Sequence, residues 1–174
     1  SSMSAFPSCA AAVAGSGAQR VILDWIDENV DDATPVALRS TVGFLAALAR
    51  DAPTASTILA MDGIEITRSL LAKASTSTAA TATPAFLTAT VELVSNLSLV
   101  GEEAILKLND AGTFRRIIKA ISTSAEYLQD PSCMTRVLEL VRQVSTIGSV
   151  ANDLVQQGVQ DLIVAAMNAN GTSD

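Results

Sequence analysis

The sequence contains no histidine. That absence removes the commonest general base and the commonest imidazole metal ligand together. Aromatic residues make up only 3% of the 174 positions although 49% are apolar, so an interior has to be assembled from Leu, Ile, Val and Ala. Such side chains suit closely packed helices better than a sandwich, which leans on β-branched and aromatic residues. Cysteine is limited to Cys9 and Cys133. Two thiols so far apart, with no imidazole, offer neither a zinc-ligand spacing nor a nucleophile–base pair. They read as reduced structural side chains, which places the chain in a reducing compartment, the cytoplasm or alternatively the nucleus. Positive charge is also short: 11 Lys and Arg stand against 18 Asp and Glu, a net charge of −7, and the cations occur singly except for Arg115-Arg116. With no clustered basic face expected, neither nucleic acid nor an anionic membrane surface is an expected partner. The longest uncharged apolar run, around Val42 to Ala49, is far too short to span a bilayer.

Motifs that would carry chemistry are missing too. Gly15-Ser16-Gly17 lacks the preceding strand and following lysine of a phosphate loop. The adjacent acids Asp31-Asp32 and Glu102-Glu103 would diverge on a helix instead of converging on a substrate, and read as solvated helix starts. Asn96-Leu97-Ser98 and Asn170-Gly171-Thr172 match the short glycosylation pattern, the first inside an apolar helical stretch, and neither reads as a sugar site. The opening residues are small, without a basic front or an apolar stretch, and do not read as a signal peptide. No catalytic residue, cofactor or metal site is expected, and Cys133 reads as packed or lightly exposed at a helix start.

What the sequence does have is helical periodicity. Val21, Ile22, Trp25 and Ile26 recur at spacings of three and four, as do Leu87, Val91, Val94 and Leu97, and again Val137, Leu138, Val141 and Val144. Breakers divide these stretches: Asp31 to Pro35, Asp51-Ala52-Pro53, Gly101, Ala111-Gly112, Gln129-Asp130-Pro131 and Gly148. Thr34, Asp51 and Asp130 stand where a side-chain oxygen caps a helix whose first turn holds a proline. Residues 74–84, rich in Ala, Ser and Thr, hold no side chain large enough for a core and read as a flexible loop. The domain reading is an N-terminal tail over 1–13, one helical domain over 14–170 and a C-terminal tail over 171–174.

An internal repeat organises the helices. Gly17, Gly63, Gly112 and Gly158 are separated by 46, 49 and 46 residues. Each has a branched aliphatic residue four positions before it (Val13, Leu59, Leu108, Leu154) and an aliphatic cluster soon after. A short helix, a glycine turn, a second helix and a longer third helix would give this order, in a unit that cannot bury its apolar faces alone. The stretches Thr57 to Ile66, Ala104 to Gly112 and Ala151 to Gly158 resemble the junction between the first and second helices of the armadillo repeat, whose period is about 40 to 47 residues. The resemblance implies an all-α fold: a right-handed α-solenoid of about three to four armadillo-like repeats. HEAT repeats are a near neighbour, and a bundle of seven or eight helices is the alternative architecture. Third helices then fall at about residues 35–50, 84–100 and 131–147.

In armadillo proteins the third helix lines a concave groove, and in the nuclear-import branch a Trp and an Asn four residues later grip an extended peptide. The corresponding pairs are Gly43 and Ala47, Glu92 and Asn96, and Glu139 and Gln143. Only Asn96 matches the import pattern, so the import mechanism is not carried over. A carboxylate with an amide at i+4, repeated along the groove, would instead hold a basic or polar peptide, with Thr88 and Thr135 one turn earlier on the same face. The expected function is a non-catalytic scaffold that binds a partner protein or peptide through Thr88, Glu92, Asn96, Thr135, Glu139 and Gln143 on an acidic concave face. The rival is a structural subunit, in a homodimer or larger complex, that makes its contacts through the ends of the stack.

Overall fold

A computed structural model describes residues 17–76 and 83–170. Within them the chain is all helical, with no strand: α1 (Ala18–Asn29), α2 (Pro35–Leu48), α3 (Ala52–Ala60), α4 (Gly63–Thr76), α5 (Pro84–Ser98), α6 (Glu102–Asp110), α7 (Thr113–Ser122), α8 (Ala125–Gln129), α9 (Pro131–Val144), α10 (Gly148–Gln156) and α11 (Val159–Asn170).

The starts of the long helices are written in side chains. Thr34, Thr83 and Asp130 each accept a hydrogen bond from the backbone N–H three residues on, at Ala37, Phe86 and Cys133, and a proline occupies the first turn of α2, α5 and α9. Asp51 caps α3 in the same way through Thr54. Each cap satisfies one of the N–H groups that a helix start leaves without an internal acceptor. Thr83 lies in the stretch read above as a loop. The segment is shorter at both ends than that reading: α4 continues through Thr76, Thr83 caps α5, and residues 77–82 lie outside the described part. The third helices end at Leu48, Ser98 and Val144, two or three residues before the expected ends. The five-residue α8 was not foreseen; its Tyr127 is buried, and the hydroxyl donates to the Ala74 carbonyl at 3.2 Å.

The repeated glycines mark turns of one kind. Gly17, Gly112 and Gly158 hold left-handed backbone (φ 76°, 73° and 84°) just before α1, α7 and α11. Before α4 that conformation falls on Asp62 (φ 64°), one residue ahead of Gly63. Gly63 has a different requirement, since a Cβ there would lie 2.5 Å from the Ile58 carbonyl oxygen.

Helices that hold the same place in the order pack against one another. α2 packs on α5 and α5 on α9; α1 packs on α4, α4 on α7 and α7 on α11. One continuous core runs through these contacts, from Leu23 and Ile26 through Leu70, Leu87 and Val94 to Val150 and Leu162. Side-chain bonds cross between them at a regular distance along the chain. Lys73 to the Asp31 carbonyl spans 42 residues, Asn109 to Asp153 spans 44, Gln143 to Ser95 spans 48 and Asn96 to Ala46 spans 50.

Three expectations follow for stability. Gly43 sits inside α2 with nothing within 4 Å of a Cβ placed on it, so Gly43→Ala should stabilise by about 0.5–1 kcal/mol. Gly63→Ala should destabilise by about 1–3 kcal/mol, because the atom it meets is backbone and cannot rotate away. Denaturant titration of both variants reads the opposite signs. Thr113 is fully buried and its hydroxyl has no hydrogen-bond partner, while Val159 holds the corresponding place at the start of α11. Thr113→Val should therefore raise stability by about 1 kcal/mol, seen as an increase of roughly 2–4 °C in Tm.

Candidate functional site

α2, α5 and α9 lie side by side, each led by a proline, and adjoining clefts run across them. One of about 580 Å³ lies among Arg39, Ser40, Gly43, Ala85, Thr88, Ala89, Glu92, Asp130 and Ser132. The next, about 530 Å³, lies among Thr88, Glu92, Pro131, Ser132, Thr135, Arg136 and Glu139. A smaller one of about 120 Å³ continues past Glu92 and Glu139 to Arg50, Ser95 and Asn96. Thr88 and Glu92 belong to both large clefts, so these hollows form one groove.

Of the six residues expected to form a binding strip, Thr88, Glu92, Thr135 and Glu139 line the two large clefts together. Asn96 and Gln143 are used differently. The Asn96 amide donates to the Ala46 carbonyl at 2.8 Å, and the Gln143 amide donates to the Ser95 carbonyl at 3.1 Å. Ala46 and Ser95 are corresponding positions of α2 and α5, so one bond is made twice, each time joining a long helix to the one before it. Gln143 Oε1 also accepts from the Ser95 hydroxyl at 2.9 Å. These amides hold the wall of the groove.

The electrostatics differ from the acidic strip expected. Glu92 is matched by Arg50, 2.6 Å away at the end of α2, and Glu139 by Arg136 at 3.1 Å on its own helix. Three of these four side chains are well exposed and Glu92 is half-buried; an ion pair open to solvent contributes up to about 1 kcal/mol. Arg39 makes no ion pair, and Asp130 spends one carboxylate oxygen on the α9 cap. The groove thus carries three carboxylates and three guanidinium groups, interleaved with the hydroxyls of Ser40, Thr88, Ser132 and Thr135. The Thr88 hydroxyl donates to the Pro84 carbonyl at 2.7 Å.

Sequence reading by charge count passed over α7. Arg115, Arg116 and Lys119 are all exposed there and none makes an ion pair, whereas Arg20, Arg50, Arg68, Lys73, Lys107 and Arg136 each do. Arg115 and Lys119 line a polar hollow shared with Asp153 and Gln156 of α10 and with Gln157 just past its end. The signal was the spacing of Arg115 and Lys119, four residues apart, with no acid on the helix.

Behind the groove, Cys133 is fully buried. Burial pushes its thiol up from 9.0 to about 11, against the opposing effect of a hydrogen bond with Thr88. Burial likewise pushes the Tyr127 hydroxyl up to about 12. Among the described residues no three His, Cys, Asp or Glu side chains converge to hold a metal ion, and no helix is long and apolar enough to cross a membrane.

Compared with protein-family models, curated proteins and solved structures, the chain matches none.

The thiol gives a pH expectation. In a Cys9→Ser variant, alkylation of native Cys133 should be far slower than that of the unfolded chain at pH 8, because the thiolate is the reacting form. The sign for stability follows from the raised values. Both groups stay neutral in the fold at a pH where the unfolded chain ionises, so stability is fully present below about pH 9 and declines as pH rises toward 11 and 12. Thermal melts between pH 8 and 11 should show that decline, and Cys133→Ala should reduce its steepness.

Proposed function

We propose that this chain is a protein-interaction module of armadillo-like repeats, which holds an extended polar segment of a partner in the groove across α2, α5 and α9. The reading rests on one observation above others: three equivalent, proline-led helices stand in a row with contiguous clefts along them. Support for the repeat comes from side-chain bonds spanning 42 to 50 residues along the chain and from the four left-handed turns. A stack of this kind presents such helices on its concave side. The buried Cys133 thiol suits a reducing compartment, cytoplasmic or nuclear.

Chemistry in the groove fits main-chain recognition. An extended segment carries an N–H and a carbonyl at almost every residue, all needing partners once water is displaced. Glu92, Glu139 and the hydroxyls of Ser132 and Thr135 can accept from N–H groups, while Arg39 and the same hydroxyls can donate to carbonyls. Because carboxylates and guanidinium groups balance, affinity should depend only weakly on salt. A basic side chain from the partner would compete with Arg50 or Arg136 for a carboxylate already engaged. Neutral polar segments are therefore favoured over strongly basic ones.

The test is selection of peptides from a random library on the immobilised chain, followed by affinity measurement on a Thr88→Arg, Thr135→Arg double variant shown by circular dichroism to be folded. Selected peptides should lose at least about tenfold in affinity on the variant, and their amides should protect groove residues in hydrogen exchange. Peptides that bind both proteins equally would move the contact away from α5 and α9 and overturn the reading.

A further inference from the structure

The 11 Lys and Arg residues are not distributed alike over the acids. Arg20, Arg68, Lys107 and Arg136 each pair with an acid three or four positions away on the same helix, and Arg50 and Lys73 pair with acids farther off in the chain. The remaining cations make no ion pair among the described residues. Arg39 lines the groove and Arg142 shares α9 with Glu139. The other three, Arg115, Arg116 and Lys119, stand together on α7, whose ten residues include no acid.

This arrangement works against α7. Arg115 and Lys119 are four residues apart and Arg116 and Lys119 three, so like charges are neighbours on the helix surface and repel. A chain with net charge −7 has acids to spare, and on four other helices it sets one within reach of the cation. On α7 the balancing anion has to come from outside the helix.

The hollow between α7 and α10 offers that anion a seat. It measures about 590 Å³, with Arg115, Lys119 and Gln156 as donors around it and the buried Ile118 in its wall. Asp153 is the acid of the hollow, but its Oδ2 accepts from the Asn109 amide at 2.7 Å, and it forms no ion pair with Arg115 or Lys119. Two cations against one carboxylate leave the hollow with a single positive charge.

That charge selects the ligand. One carboxylate from a partner neutralises it, with Arg115 able to hold both oxygens at once and Lys119 acting as a point charge beside it. A phosphate group, at nearly two negative charges, would overshoot and meet Asp153. A nucleic acid would need a row of cations, and the row does not continue. The hollow one step back along the chain, about 290 Å³ between α4 and α6, has Lys107 as its cation, already bonded to Glu103 at 2.7 Å.

We infer that the hollow between α7 and α10 is a second docking site, which takes an acidic segment of a partner protein by seating one Asp or Glu carboxylate between Arg115 and Lys119. Arg116, exposed beside them, can receive a neighbouring acid of the same segment. The site shares no residue with the groove across α2, α5 and α9, so it stands or falls apart from the reading of that groove.

Amide NMR of the full chain tests it, by titration at about 0.1 M salt with end-blocked Gly-Ser peptides that carry at their centre a run of Glu, a run of Gln or a lone phosphoserine. The Glu peptide should shift residues 113–122 and 153–157 with a Kd on the order of 1 mM, since ion pairs open to solvent contribute little. The Gln peptide should shift nothing there, and the phosphoserine peptide should bind no more tightly than the Glu peptide. An Arg115→Gln, Lys119→Gln double variant, both substitutions at exposed sites and the fold checked by circular dichroism, should bind the Glu peptide at least about fivefold more weakly. The Thr88→Arg, Thr135→Arg groove variant should bind it as wild type does. Absence of shifts along α7, equal shifts from the Gln peptide, or a double variant that binds undiminished would overturn the inference. So would tighter binding of the phosphoserine peptide, which would make the ligand a phosphorylated segment, or loss of binding in the groove variant, which would place the acid in the groove.

Discussion

The rest of the molecule is arranged around α5, held between α2 on one side and α9 on the other. Nine of its fifteen residues are buried, and they fall on more than one face: Phe86, Leu87, Ala89, Thr90, Val91, Leu93, Val94, Leu97 and Ser98. Its sequence explains why. From Pro84 to Ser98 the only charged residue is Glu92, and a helix that apolar must be covered nearly all round. Once α2 and α9 take two sides and α3, α4 and α6 cover the inner face, the strip around Thr88 and Glu92 is what remains open. The groove is thus the uncovered remainder of a helix that packing has otherwise claimed.

Apolar contact brings the long helices together but does not set how far one slides along the next. The two amide bonds do, Asn96 to the Ala46 carbonyl and Gln143 to the Ser95 carbonyl. Each donates to a carbonyl at the same place in the last turn of the preceding helix, so both joints settle at one register. Directional bonds specify position where dispersion forces are permissive. Side chains that could have gripped a ligand therefore fix the wall, and the open groove is left with hydroxyls and with the carboxylates of Glu92 and Glu139, each paired with an arginine.

Much of the fold could be read in advance because its determinants are local. A capping oxygen and a proline in the first turn announce α2, α3 and α9, and the glycine period announces the left-handed turns. Thr83 obeys the same rule yet was hidden among residues of one composition, and the repeating pattern runs past the true helix ends because the capping turn keeps the periodicity. Asp62 in place of Gly63 shows the limit of counting glycines: one residue supplies the left-handed turn, and its neighbour supplies the close approach to Ile58. What could not be read depends on partners distant in the chain. Tyr127 becomes a core residue only because the Ala74 carbonyl lies 53 residues behind it. The charge of Glu92 is balanced only because Arg50, just past the end of the neighbouring helix, reaches it. The face of each amphipathic helix was legible, but whether a polar residue on that face meets solvent or the next helix was not.

The even spacing of the bonds between units bears on how the chain reaches its fold. Each joint closes a segment of 42 to 53 residues, wherever it lies. The entropy of closing a loop grows with the logarithm of its length, so every one of these joints carries nearly the same cost. In the proposed repeat arrangement, assembly begins at any neighbouring pair and spreads outward. The chain lengths that govern its rate belong to one unit and not to the whole sequence, and inserting a further unit would lengthen the molecule without lengthening any loop that must close.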